Sequence, residues 1–100
     1  MIPEQPAEVV LAERRYWHAD GREVVLRVRH GPAQGGGAKM YFWITAGGPD
    51  NEPVRGVMYC TMAHDRPQAR RVWVERARQL RSVGYEPVPK SPRLGPFPTV

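Results

Sequence analysis

Through the first two-thirds of the chain apolar residues tend to recur at every second position, and after Asp65 they recur every three to four. The first spacing is that of strands and the second that of a helix. The opening run extends from Glu8 to His18 and the next from Glu23 to His30, with Asp20-Gly21 between them. Asp-Gly in that position predicts a hairpin, because both central residues of a type I′ turn need positive φ. A two-residue loop pairs Trp17 with Val24, Tyr16 with Val25, Arg15 with Leu26 and Arg14 with Arg27. One face then carries Leu11, Trp17, Val24, Leu26 and Val28, and the other carries Arg14, Tyr16, Arg27 and Arg29.

Lys39 to Ala46 reads as a third strand, with Met40, Phe42 and Ile44 alternating with Tyr41, Trp43 and Thr45. Val54 to Met62 reads as a fourth, with Met58, Cys60 and Met62 alternating with Val57, Tyr59 and Thr61. The stretch 31–38 (GPAQGGGA) is a connecting loop. Its glycines have no following Lys-Ser/Thr, so they do not form a phosphate-cradling loop. Asp65 with Gln68 three residues on is an N-cap signature, and Gly84 is a natural stop, so a helix is predicted from Arg66 to Val83. At 100° per residue Ala69, Val72, Trp73, Ala77, Leu80 and Val83 form an apolar stripe. Arg70, Arg71, Val74, Arg78 and Arg81 gather on the other side.

These elements predict an α+β domain: a four-stranded antiparallel β-meander with one C-terminal amphipathic helix packed on one face. Residues 1–7 are a flexible lead-in, 8–84 are the ββββα domain, and 85–100 are an extended Pro-rich tail that cannot continue a helix or a central strand. The predicted core is Leu11, Trp17, Val24, Leu26, Val28, Met40, Phe42, Ile44, Met58, Cys60, Val72, Trp73, Ala77 and Leu80.

A chain of 100 residues holds one core and no large internal cavity, which weighs against a self-contained enzyme. The single cysteine, Cys60, excludes an internal disulfide and points to a reducing compartment. No secretory leader or bilayer-length apolar run is evident, so the expected location is the cytoplasm. Charge changes the picture more. Residues 1–65 hold seven Lys/Arg against eight Asp/Glu, whereas residues 66–84 hold six Arg against Glu75 alone. The helix therefore supplies nearly all of the net charge of +5.

Two surfaces follow as candidate sites. The helix arc of Arg70, Arg71, Arg78 and Arg81 around Val74 would attract phosphate or an acidic protein, or would serve only as a solvated face. The sheet face turned away from the helix would show Arg14, Tyr16, Arg27, Arg29, Tyr41, Trp43, Arg55 and Tyr59, a platform on which unpaired bases stack. The tail, or a second copy of the chain forming a homodimer, could instead cover that face. Arg76 falls inside the apolar stripe, where it either snorkels to the sheet edge or pairs with Glu13. Cys60, His64 and Asp65 lie along one connection with no oxyanion donor in view, so no catalytic group is assigned. His18, His30 and His64 lack ligand spacing, and neither a metal nor a cofactor is expected.

The expected function is that of a non-catalytic binding module for an anionic partner, nucleic acid first. The alternative is a small bacterial or phage regulator, of inhibitor or immunity type, that docks on an acidic protein. Strands followed by a basic helix closing on Gly84-Tyr85 resemble the layout of the WGR domain found in nucleic-acid-dependent enzymes. The Trp-Gly-Arg triplet itself is absent, and no residue role is carried over.

Overall fold

The computed structural model describes residues 9–32 and 39–88. The lead-in 1–7, most of the glycine loop and the tail beyond Val88 lie outside the described residues. Five strands and one helix follow in the order β1 (Val9–His18), β2 (Glu23–Pro32), β3 (Met40–Gly47), β4 (Cys60–Ala63), α1 (Arg66–Ser82) and β5 (Tyr85–Pro87). The strands form one sheet in the order β4-β3-β2-β1-β5. Every neighbouring pair is antiparallel. The outer strands β4 and β5 consequently run in the same direction, and α1 crosses one face of the sheet to join them.

The α+β class and the meander are as the alternation predicts, but the described residues hold five strands rather than four. Tyr85–Pro87 pairs with β1 through Tyr16↔Pro87, Trp17↔Glu86 and His18↔Tyr85. Proline is tolerated here because β5 is an edge strand. Tyr85 is buried and its ring meets His18 edge-on at 5.1 Å.

The hairpin register is one residue away from the expected one. His18 N–H donates to Arg22 O at 2.8 Å, Gly21 N–H donates to His18 O at 2.9 Å, and Gly21 has φ +95°. The turn thus holds three residues, Ala19 to Gly21, the arrangement of a type I turn closed by a left-handed glycine. Asp20 favours it by accepting from the Arg22 backbone N–H at 3.0 Å and from Arg22 Nε at 2.6 Å. Tyr16 then pairs with Val24 and Arg14 with Leu26. Side chains alternate with period two, so one extra loop residue exchanges the faces of β1. Tyr16 is 0% exposed where the open face was expected, and Trp17 is 51% exposed where the core was expected. Arg14 moves with Tyr16 to the helix side.

The fourth strand is shorter than expected and opposite in phase. Gly56 has φ +84° and Val57 N–H donates to Val54 O, so residues 54–57 turn instead of extending. The turn buries Val57 and leaves Met58 55% exposed. Thr45↔Cys60 and Trp43↔Met62 then put Cys60 and Met62 on the open face. Cys60 is exposed, not part of the core. Arg55 sits in the turn, and the Tyr59 ring lies over Gly47, where a Cβ would come within 2.9 Å of it.

The core lies between α1 and the sheet. Ala69, Trp73, Ala77 and Leu80 of the helix meet Tyr16, Val24, Leu26, Val28, Phe42, Ile44 and Ala46. Leu11 and Val72 are half-buried at its margin. Asp65 caps the helix by accepting from Gln68 N–H at 2.8 Å, Gln68 Oε1 accepts from His64 N–H at 2.9 Å, and Gly84 follows the end with φ +97°. The predicted helix bounds hold to within a residue.

Candidate functional site

Burial of Trp73, Ala77 and Leu80 against the sheet fixes the rotation of α1. That rotation leaves Arg70, Arg71, Arg78 and Arg81 exposed, with Val74 half-buried among them. Arg70, Arg71, Val74, Glu75 and Arg78 line a shallow depression on this face. Glu75 is the acidic residue within it, and its Oε1 is 3.2 Å from Nη1 of the buried Arg76. Among the described residues none of Arg70, Arg71, Arg78 and Arg81 makes an ion pair or a side-chain hydrogen bond. The helix face is thus strongly cationic, with Glu75 as the acidic residue among these arginines.

The open sheet face is built differently. Arg27, Arg29, Tyr41 and Trp43 do share it, with Arg29 opposite Trp43 and Arg27 opposite Thr45. Their neighbours are acidic as well as apolar. Arg27 Nε donates to Glu13 Oε2 at 2.7 Å, and Arg15 Nε lies 3.6 Å from Glu23. The sequence register had set Arg14 against Arg27; the true register sets Glu13 there and removes that repulsion. The Tyr41 and Trp43 rings meet edge-on at 6.0 Å, Lys39 Nζ stands 5.5 Å from the Tyr41 ring centre, and His64 meets Tyr41 at 5.7 Å. Met62, Trp43, Arg29 and Val10 follow one another in a row across this face, apolar but for Arg29.

Of the expected sheet-face residues, the structure moves Arg14 and Tyr16 to the helix side and Arg55 into the 54–57 turn. Arg14 stands on the helix side of β1, its Nε is buried, and that atom has no hydrogen-bond partner among the described residues. Turn length, set by Asp20 and Gly21, was the signal that would have placed it.

Arg76 is only 5% exposed. It reaches the β4 edge, where Nη2 donates to Thr61 Oγ1 at 3.0 Å and lies 3.5 Å from Met58 Sδ. Glu13 is engaged by Arg27 instead. Partial desolvation by its neighbours pushes the Cys60 thiol up from its ordinary value, although the residue is exposed, and Arg29 offsets this only in part. An activated thiol shifts the other way. The three histidines are dispersed among ring contacts, His18 with Tyr85, His30 with Phe42 and His64 with Tyr41. Among the described residues no group of three or more His, Cys, Asp or Glu is arranged to hold a metal ion. No helix among them is long and apolar enough to cross a membrane.

Comparison of the chain with protein-family profiles, curated proteins and solved structures returns no match. The chemistry of the site therefore carries the functional reading, and the WGR-like layout adds nothing to it.

Proposed function

We propose that this chain is a non-catalytic binding module that engages nucleic acid through the exposed face of α1. The observation that carries this reading is the set of Arg70, Arg71, Arg78 and Arg81 around Val74, none of them ion-paired among the described residues and only Glu75 acidic in the depression they line. From Arg70 to Arg81 the helix advances roughly 16 Å at about 1.5 Å per residue, enough to follow several phosphates of one strand. Guanidinium groups take phosphate oxygens in pairs, and exposed Arg side chains keep their charge at any physiological pH. The sheet face is the weaker candidate, because Arg27 and Arg15 already lie against carboxylates.

The test is fluorescence anisotropy of labelled random-sequence oligonucleotides, single-stranded and duplex, between about 50 and 200 mM salt. Contacts to phosphate make log K fall linearly with log salt. Changing Arg78 and Arg81 together to Glu abolishes binding, while stability falls by only about 1 kcal/mol, since both positions are exposed and only Arg81 sits at the negative end of the helix. Val74 at the centre of the depression favours a second reading, since an apolar residue ringed by Arg suits a protein interface. Failure to bind either oligonucleotide, together with salt-dependent binding to an acidic protein, selects that reading.

A further inference from the structure

Along its strands, the open face of the sheet changes sign. At the hairpin end Glu86, Trp17 and Glu23 form a row with two carboxylates, and Arg15 stands in the next row, 3.6 Å from Glu23. In the middle Arg27 donates to Glu13 at 2.7 Å. At the far end comes the row of Val10, Arg29, Trp43 and Met62, followed by Tyr41 with Lys39 Nζ 5.5 Å from its ring centre. Those residues bring two cations and no carboxylate. The face is thus acidic at one end, balanced at its centre and basic at the other.

A face polarised in this way is complementary to itself. A two-fold axis lying between two such faces and running across the strands lays the acidic end of each copy over the basic end of the other. Aligned packing of two sheets about 10 Å apart has this geometry. Apolar surface lies between the charges: Trp17 is 51% exposed, Val10 40% and Met62 39%, beside Trp43 and Tyr41. A monomer seldom leaves such a patch in water, and aromatic, Met and Arg side chains are enriched at the centres of interfaces. The area is also sufficient. Central strands of ten, ten and eight residues with two short edges give a flat footprint of roughly 550 Å². Side-chain relief raises that into the range of about 600–1,000 Å² that each partner of a standard interface buries.

We infer that two copies of this chain associate through the open sheet face, end for end, with Glu23 and Glu86 of each against Arg29 and Lys39 of the other. The dimer is independent of the nucleic-acid reading, and it leaves both α1 surfaces facing outward.

Sedimentation of the full chain from low to high micromolar concentration tests it and shows a monomer–dimer equilibrium. Glu23→Lys with Glu86→Lys makes both ends basic, and Arg29→Glu with Lys39→Glu makes both acidic. Each double variant alone dimerises at least roughly tenfold more weakly, because like charges now meet. Mixing the two restores the dimer, since basic ends again meet acidic ones. With both variants folded by circular dichroism, a mixture that stays monomeric overturns the proposal, and so does a dimer indifferent to both pairs. Should either variant fail to fold, the parent's Cys60 decides, because it is exposed on this same face. Its alkylation by N-ethylmaleimide slows as the chain concentration rises into the dimer range. A rate that is slow at every concentration, as when residues 89–100 cover the face, overturns the dimer. So does a rate slowed only by added oligonucleotide.

Discussion

Arg76 shows how far one residue departs from what its position in a helix implies. A guanidinium in the apolar stripe has lost its water; Nη2 donates to Thr61 and lies near Met58 Sδ, Nη1 meets the Glu75 carboxylate, and Nε is left without a partner among the described residues. Buried charges of this kind often contribute nothing net, and an apolar side chain of similar volume is neutral or better. Arg76→Met is therefore expected to unfold in urea at the parent's midpoint or above it. Thr61→Val, which keeps Arg76 and removes its acceptor, costs about 1–3 kcal/mol in the same measurement. Trp73 is the opposite case, 2% exposed at the centre of the helix–sheet contact. Trp73→Ala costs roughly 3–5 kcal/mol, much of the stability a small domain has, and calorimetry shows a collapsed melting transition. At the hairpin turn, the Arg22 backbone N–H, followed by the Arg22 side chain, holds the Asp20 carboxyl below its ordinary value. A carboxyl depressed in the folded state stabilises above its unfolded pKa of about 3.9, and this is lost as pH falls through the lower folded value. Asp20→Asn removes that part of the acid limb of a stability-versus-pH curve and leaves other acidic groups to shape the rest.

At the scale of elements, two glycines with the same backbone conformation make different predictions. Gly21 has φ +95° with open space around it, whereas a Cβ on Gly84 at φ +97° would come within 2.7 Å of His18 Nε2. Gly21→Ala costs only the left-handed conformation, about 1 kcal/mol. Gly84→Ala costs more, because His18 is held against Tyr85 and cannot retreat freely. Equal losses in denaturant titrations would mean that the helix stop does not pack as described. Helix bounds, cap and inward stripe were legible in the sequence because they depend on neighbours three or four residues apart. The sheet was legible in kind but not in phase. Asp20-Gly21 fits both a two-residue and a three-residue turn, and the choice moves Arg14 and Tyr16 to the other side. Gly56 broke the expected fourth strand by adopting positive φ, which exposed Met58 and Cys60. The helix part of the candidate site could be read from spacing alone. Arg14 could not, since its place follows from a hydrogen bond made at the turn.

The whole molecule is closed by β5. Tyr85 is buried, and the strand that carries it covers the outer edge of β1 from Tyr16 to His18. A chain ending at Gly84 should therefore melt well below one ending at Val88, by an amount comparable with truncating a buried aromatic, roughly 3–5 kcal/mol. The β1–β2 and β2–β3 pairs join strands that follow one another directly, but Tyr85 meets His18 across 67 positions of sequence. Closing so long a loop costs entropy before the contact repays it, and such pairings form late. In stopped-flow kinetics, Tyr85→Ala should hardly change the folding rate and should speed unfolding by nearly the whole loss of stability. The residence time of the native state, as distinct from its equilibrium population, is then governed by how long the last three-residue strand stays docked on the first.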